Sequence, residues 1–599
     1  MDAAGPGGRD ARAEALARRR RARLRGARRR ARAARARARA AARRDGRPRG
    51  RAAPHPRRAR APRPRRRPAR DAATRRRDAA RRDGRRLARP DGPPARRRAR
   101  ASRGRLPARA PRRRRRTARA GERVSAPRAR RGRPAGRAAR AAGTPPFEGG
   151  PTQARVAALR VLDRVERSGA YADLALHGAL ADAPLSAQER ALATELVYGT
   201  LRWRGRLDAL LAQVVPRPLD SLESPVRSVL RLGAYQLVFL HSIPAPAAVD
   251  QAVRVARAIG LERATGLVNA ALRRLAREHE ALPLPALEGD PLGHLVHALS
   301  LPAWLAQRWL DAYGPAEAAA LAAASNAAPP LTVRANALRI SRDALLAELR
   351  ARWPDARPAS YAPLGIVLGH GGNPAADPAF AAGRFAVQDE GSQLVVALLD
   401  PQPGERVLDA CAAPGAKATA AAAAVGAEGR VLGLDRHARR LALVAREARR
   451  LGLATLELRA CDVAAGLPPE AAAGAFDRVL VDAPCSGLGT LRRNADLRWR
   501  VAPGDPAELA ATQRALLAAA ARALRPGGVL VYSTCTLTPE ENEDVVASFL
   551  ADTPGFRRAA PDAAPACVRP LLGPDGALRT FPHRHGTDGF FAARLERDA

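Results

Sequence analysis

Arg406-Val-Leu-Asp-Ala-Cys-Ala-Ala-Pro-Gly-Ala-Lys417, followed by Arg430-Val-Leu-Gly-Leu-Asp435, is the stretch that decides the fold. Two short apolar runs each end in an acid, and the first passes straight into a turn of Cys, Ala, Pro and Gly. Runs of this length bounded by turn residues predict strands buried on both faces. Leu456–Asp462, Phe476–Asp482 and Gly528–Ser533 predict three more, the last preceded by a helix over Glu508–Leu524. Strand–helix alternation implies an α/β domain with a parallel sheet covered on both faces. Ligands of such sheets bind beyond the carboxyl ends of the strands. Asp409, Asp435, Asp462 and Asp482 fall at those ends, and Cys485 and Cys535 lie just past the fourth and fifth strands.

An acid ending the second strand is placed to accept both hydroxyls of a ribose, which makes Asp435 the candidate. The turn Cys411–Lys417 lacks the three glycines of a dinucleotide site. It also lacks the Ser or Thr that follows the lysine of a phosphate loop, since Ala418 stands there. A nucleoside ligand without a pyrophosphate fits. A single strand-end Asp is commonly a cap or turn residue; four in register point to a ligand. Lys417 is the only lysine beside 105 arginines, which suggests that a compact ammonium is required at that place.

Cys485 stands in Asp482-Ala-Pro-Cys-Ser-Gly487 and Cys535 in Ser533-Thr-Cys-Thr536. A lone cysteine is commonly a small buried apolar residue, but two facing one nucleoside pocket suggest covalent catalysis. Carbon 5 of cytosine is too weak a nucleophile to attack a methyl sulfonium. A thiolate added at carbon 6 makes the ring an enamine and activates carbon 5. One cysteine then serves as nucleophile and the other assists release, while Asp482 can hydrogen-bond the cytosine ring nitrogen. His583 and His585 lack a third ligand nearby, so no metal is expected.

Upstream of this domain the periodicity changes. Val156, Leu159, Leu162 and Val165 sit at helical spacing, and Ser186 with Glu189 is a capping-box pattern for a helix through Leu196. Pro225 suits the first turn of the next helix, and Val249–Ile259 and Leu267–Leu275 are amphipathic. Residues 152–280 therefore read as all-helical. Arg202, Arg204 and Arg206 around Trp203, with Arg273 and Arg274, fit a phosphate-facing surface or a solvated helix face over a core Trp. The local pattern by itself favours the second. Leu282–Gly293 reads as a linker. Helices near Trp304–Tyr313 and Ser341–Leu349, with strands at Leu331–Asn336 and Gly365–Leu368, predict a small α/β module.

The 599 residues carry a net charge of +49, which is concentrated at one end. Residues 1–150 hold 56 Arg against 10 acids and no aromatic before Phe147. Too few apolar side chains remain there to offset the entropy of folding, so residues 1–149 are expected to be disordered. Their composition fits a basic arm on RNA phosphates, and equally a compositional bias or an upstream stretch wrongly joined to the gene. No run of about 18 apolar residues predicts a membrane span, and no apolar core suggests a signal peptide. Five cysteines in so long a chain are no disulfide scaffold. A reducing cytoplasm is expected, with Cys411, Cys461 and Cys567 in structural roles.

Leu408-Asp-Ala-Cys-Ala-Ala-Pro-Gly415, Val481-Asp-Ala-Pro-Cys-Ser-Gly-Leu-Gly-Thr-Leu-Arg-Arg-Asn494, and Tyr532-Ser-Thr-Cys-Thr536 with Pro539-Glu-Glu-Asn542 resemble the RNA cytosine-5 methyltransferases of the Sun/RsmB/NOP family. The likeness runs from about Thr152 to the C-terminus and includes Val387-Gln-Asp-Glu390 and His585-Gly-Thr-Asp-Gly-Phe-Phe591. It implies a Rossmann-like domain using S-adenosylmethionine, with Cys535 as nucleophile and Cys485 needed for product release. Cys411, Ala412, Ala413, Pro414, Gly415, Ala416, Lys417, Asp435, Asp462 and Asp482 would contact the donor. The helical segment resembles the antitermination factor NusB, and its place ahead of the catalytic domain resembles the small-subunit (16S) ribosomal RNA methyltransferases of the family. The implied division is a tail at 1–149, a NusB-like RNA-binding domain at 150–285, an RNA-recognition-like α/β module at 295–386 and the methyltransferase domain at 387–599. A monomer acting on ribosomal RNA, without metal or membrane, is expected. The alternatives are a transfer RNA methyltransferase, or a NusB-like binding protein with an inactive methyltransferase domain. The family usually has two glycines before the lysine, where this chain has Gly415-Ala416. A positive φ at Ala416 would cost about 1 kcal/mol or more.

Overall fold

The computed structural model describes residues 152–181, 183–369 and 372–599, so the expectation of disorder at 1–149 lies outside the described residues. The helical part comprises α1 (Thr152–Ser168), α2 (Ala172–Ala181), α3 (Ala187–Arg202), α4 (Arg204–Val214), α5 (Ser224–Phe239), α6 (Ala245–Ala258) and α7 (Thr265–Glu278). Leu159, Leu162, Leu196, Leu207, Leu230 and Leu272 meet in one buried core. The capping box forms in full. Ser186 N donates to Glu189 Oε2 at 2.8 Å, and Glu189 N donates to Ser186 Oγ at 3.3 Å. Pro225 takes the second position of α5, where a missing N–H costs nothing. The periodicity did not single out α2 and α4. The short α2 contains Gly178, a poor helix former, and α4 starts directly after Trp203 with no side-chain cap.

Beyond the predicted linker, α8 (Ala303–Asn326) runs well past Tyr313, broken at Gly314 (φ 74°) just before Pro315. The α/β module has a four-stranded antiparallel sheet in the order β2-β3-β1-β4. Its elements are β1 (Leu331–Ala335), α9 (Arg342–Leu349), β2 (Arg357–Pro358), β3 (Gly365–Gly369) and β4 (Phe385–Val387). Buried Arg334 ties the module to the next domain by donating to Gln388 Oε1 at 2.7 Å and Thr419 Oγ1 at 3.2 Å.

The last domain contains α10 (Glu390–Leu399), β5 (Arg406–Asp409), α11 (Ala416–Val425), β6 (Arg430–Asp435), α12 (Ala438–Leu451), β7 (Leu456–Ala460), β8 (Phe476–Asp482), α13 (Leu497–Arg500), α14 (Asp505–Ala521), β9 (Leu524–Thr534), α15 (Glu543–Asp552), β10 (Phe556–Arg558), β11 (Leu578–Thr580) and β12 (Phe590–Arg597). The strand order β10-β12-β9-β8-β5-β6-β7 reverses direction at β5 and β8, the crevice where α/β sheets bind ligands. Side chains alternate between two cores. Leu408, Val479, Val481 and Leu530 pack under α14 and α15, while Val407, Leu480 and Val531 pack against α10 and α11.

The five expected strands form the parallel sheet, and the structure adds an antiparallel edge to it. The β5–β9 strands are parallel, but β12 runs antiparallel to β9 and carries β10 and β11, also antiparallel. The run Phe590–Arg597 follows only a four-residue helical turn, Pro582–His585, so no strand–helix alternation marked it. Strand β9 starts at Leu524 rather than Gly528, and β7 ends at Ala460, two residues before Asp462.

Candidate active site

Strand β5 ends in Asp409, whose Oδ1 accepts Cys411 N at 3.1 Å and so bends the chain into the turn. Ala412 N then donates to Leu434 O at 2.7 Å, which pins the turn to β6. Gly415 takes the left-handed step at φ 115°, and a Cβ there would sit 3.0 Å from Val444 Cγ1. Ala416 is the first residue of α11 and has no positive φ; among described non-glycine residues only Ser300 and Asp400 do. The expected strain at Ala416 is therefore absent, because Gly415 makes the turn one residue earlier.

Lys417 points from the first turn of α11 across the crevice. Its buried Nζ pairs with Asp482 Oδ2 at 2.9 Å and lies 5.0 Å from the centre of the Phe590 ring. Burial acts against its charge, but Asp482, Cys535 and Asp409 outweigh it and hold the ammonium above the ordinary lysine range. Asp482 also accepts Ser533 Oγ at 2.9 Å, so both its oxygens have protein partners. Asp409 is pushed up to about 7, by burial first and then by Asp482 and Asp435. Sequence reasoning had noted Asp409 as a strand-end acid but assigned it no role.

Asp435 is buried at the end of β6. Its Oδ1 accepts His437 N at 2.8 Å, and among the described residues its Oδ2 has no partner closer than Arg440 at 3.7 Å. That leaves an oxygen for a ribose hydroxyl, and the carboxylates of Asp409, Asp435 and Asp482 suit a cationic sulfonium. The crevice thus fits S-adenosylmethionine. Asp462 lies further out and is exposed, one turn of chain beyond β7.

Cys485 and Cys535 converge from the loops after β8 and β9, with their sulfurs 3.4 Å apart. Cys535 N also donates to Cys485 Sγ at 3.3 Å. The bond to Cys535, followed by burial, pushes the Cys485 thiol well above its ordinary range. Burial also raises Cys411, Cys461 and Cys567. His583 Nε2 meets Glu317 at 2.8 Å and His585 Nδ1 accepts Phe581 N at 2.9 Å.

Sequence reasoning gave no role to the residues that hold the two loops. Fully buried Glu541 accepts Ser486 N at 2.8 Å, Gln513 Nε2 at 3.0 Å, Ser486 Oγ at 2.5 Å and Thr538 Oγ1 at 2.7 Å. Asn542 accepts Thr534 Oγ1 and donates to Thr536 O, on either side of Cys535. Gly489 N donates to Cys535 O at 3.0 Å, and a Cβ on Gly489 would fall 2.0 Å from Gly589 O. Only glycine permits that approach. Asp389, Asp588, Arg492 and Arg493 form a buried ion cluster beside it, in which Asp588 Oδ1 takes Arg492 Nε at 2.6 Å.

Arg202 and Arg204 correct the reading of a solvated face. Arg202 Nη2 donates to Arg492 O at 2.8 Å, and Arg204 lies 5.1 Å from the centre of the Trp499 ring, so both are half-buried against the catalytic domain. Arg273 and Arg274 are solvated.

Comparison with known proteins agrees with this architecture. Residues 396–596 match the family described as 16S rRNA methyltransferase RsmB/F, residues 152–277 match the NusB family, and residues 301–373 match the RsmF/B-like ferredoxin-like domain. The chain is 38% identical over 447 residues to a probable ribosomal RNA small subunit methyltransferase B of Synechocystis sp., covering 74% of this chain and 99% of that protein. It is 37% identical over 453 residues to the Bacillus subtilis protein of the same description, with the same coverages. It is 39% identical over 414 residues to the ribosomal RNA small subunit methyltransferase B of Pseudomonas putida, covering 68% of this chain and 90% of that one. The crystal structure of PH0851 superposes with a TM-score of 0.62 at 26% identity, covering 75% of this chain and all of that one. With the donor crevice, the NusB-like helices and relatives covered nearly end to end, the chain belongs to the RsmB/F family of S-adenosylmethionine-dependent RNA methyltransferases.

Proposed function

We propose that the protein methylates carbon 5 of a cytosine in small-subunit (16S) ribosomal RNA through a covalent adduct on Cys535. The observation that carries this reading is the pair of thiols 3.4 Å apart beyond neighbouring parallel strands, beside the Lys417–Asp482 ion pair. The small-subunit RNA substrate follows the names of the relatives.

S-adenosylmethionine supplies the methyl group, held by the turn 411–417 with Asp435 on its ribose and Asp462 at the rim. The Cys535 thiolate, with Cys485 in contact and the Lys417 ammonium on the same side of the crevice, adds to carbon 6 of the cytosine. The electron pair moves to carbon 5, which takes the methyl group. Cys485 is unsuited to act as a base beforehand, because its bond to Cys535 raises it. Once Cys535 is a neutral thioether that cause is gone; Cys485 gives its proton to solvent, and its thiolate then takes the proton from carbon 5. The Cys535–carbon 6 bond then breaks, its electron pair returning to sulfur.

Incubating Cys485→Ala with labelled small-subunit RNA and the donor should give a protein–RNA band on a denaturing gel, and Cys535→Ala should give none. Bisulfite sequencing of RNA treated with the unaltered protein should show one protected cytosine. A band from Cys535→Ala alone reverses the two roles, and methylated RNA with no protected cytosine refutes carbon 5 as the target.

A further inference from the structure

Between the helical domain and α13 lies a cleft of about 460 Å³, lined by Glu166, Arg204 and Arg231 on one side and Trp499 and Arg500 on the other. That volume lies in the usual range of small-ligand sites, about 300–1,000 Å³. Its charges are unequally matched. Each nitrogen of the Arg231 guanidinium has a carboxylate partner, with Nε on Asp208 Oδ1 at 2.7 Å, Nη2 on Oδ2 at 2.9 Å, and Nη1 on Glu166 at 3.4 Å. Glu166 is taken further by Arg227 at 3.0 Å and Ser228 at 3.3 Å. Arg204 is left over. It makes no hydrogen bond among the described residues, and its nearest carboxylate, Asp208, is 4.0 Å away and already claimed. Burial, then the like charge of Arg231, disfavours its cation. Arg500 stands opposite, with Asp496 at 3.4 Å and its guanidinium 3.6 Å from the centre of the Tyr171 ring.

A half-buried guanidinium with no hydrogen bond among the described residues, in a polar cleft large enough for a nucleotide, is suited to receive an anion. We propose that this cleft is a subsite for the RNA substrate, with a backbone phosphate between Arg204 and Arg500 and the sugar and base filling the space beside Trp499. The position supports RNA as the source of the anion. Helix α13 ends the segment that starts at Cys485, so one stretch of chain joins the reacting thiols to the cleft. The wall is rigid. Fully buried Arg498 donates to Arg202 O at 3.0 Å, Ser300 O at 3.2 Å and Asn326 Oδ1 at 2.7 Å, and Trp499 Nε1 donates to Leu201 O at 2.6 Å. RNA bound in the cleft is thereby held in register with the catalytic loops.

The subsite rests on the RNA-modifying reading above, so its test measures RNA contact apart from methyl transfer. The full chain is cross-linked by near-ultraviolet light to a small-subunit RNA transcript carrying 4-thiouridine. Cross-linking is done at about 0.3 M salt, where loose contacts of the arginine-rich segment are screened. Peptides holding residues 200–206 or 497–501 should carry the cross-link. Arg204→Gln should raise KM for the transcript about tenfold, the loss of a charge-assisted hydrogen bond, and Arg204→Lys should restore most of it. Donor affinity by calorimetry should match the parent in both variants. No cross-link in either segment overturns the subsite whatever the variants do, as does an unchanged KM in a well-folded Arg204→Gln. Cross-links and weakened RNA binding with no methylated cytosine would leave the subsite standing and remove the proposed reaction; methylation without them would do the reverse.

Discussion

Replacing Glu541 tests how the two cysteine loops are held. Its carboxyl group receives four hydrogen bonds, two of them from Ser486, the residue after Cys485. Glu541→Ala removes all four acceptor positions. Two of the donors, Ser486 Oγ and Thr538 Oγ1, are hydroxyls that can turn to Thr536 Oγ1, which already lies 2.7 Å from the first and 3.4 Å from the second. The other two, Ser486 N and Gln513 Nε2, have fixed directions and would be left buried and unsatisfied, although Gln513 also donates to Pro484 O. At about 1–3 kcal/mol for each unsatisfied buried donor, the fold should lose roughly 2–6 kcal/mol. The larger effect falls on catalysis, because a shift of about 1 Å in a positioned group can cost about a hundredfold in rate. Glu541→Gln keeps one oxygen for Ser486 N and Gln513 Nε2 and should lose far less. The assay is single-turnover methyl transfer with the adduct followed on a denaturing gel. In Glu541→Ala the adduct should decay slowly, since Cys485 is displaced from Cys535, while donor affinity by calorimetry stays near that of the parent. Release as fast as in the parent, with the expected loss of stability, would show that Glu541 supports only the fold.

Asp435→Ala should weaken S-adenosylmethionine binding by about 1.5–3 kcal/mol, the worth of hydrogen bonds to a charged group; calorimetry showing unchanged affinity removes Asp435 from the site. Asp409 is raised in the fold, so its contribution to stability is complete below about pH 4 and is lost as pH rises towards 7. Asp409→Asn should remove a loss on the order of 4 kcal/mol over that window, so the variant's melting temperature should gain on the parent's between about pH 4 and 7, and parallel curves would contradict the assignment. Ala416→Gly should leave donor affinity unchanged and lower helix stability by up to about 1 kcal/mol, because Ala416 is an unstrained helical residue; tighter donor binding would restore the strain argument.

The elements that the sequence determined by itself were those with a local cause. Buried strands advertise themselves as short apolar runs, so β5, β6 and β8 could be read to the residue, and Ser186 with Glu189 specified a helix start from four adjacent positions. The places of the strand-end acids and the two cysteines in the fold were legible for the same reason: each lies at or just past the end of a recognisable strand. Strand β12 was not legible, because antiparallel pairing with β9 is set by a partner more than fifty residues away. Nor was Ala416, since which of two adjacent residues takes the left-handed step depends on the packing of Val444 against Gly415. Arg202 and Arg204 looked solvated because a basic helix face reads alike whether it meets water or another domain. Glu541 and Arg498 show the limit most clearly. A polar side chain is tolerable in a core only when distant groups converge to satisfy it, and those partners, from Ser486 and Gln513 for one and from Arg202 to Asn326 for the other, exist only once the chain has folded.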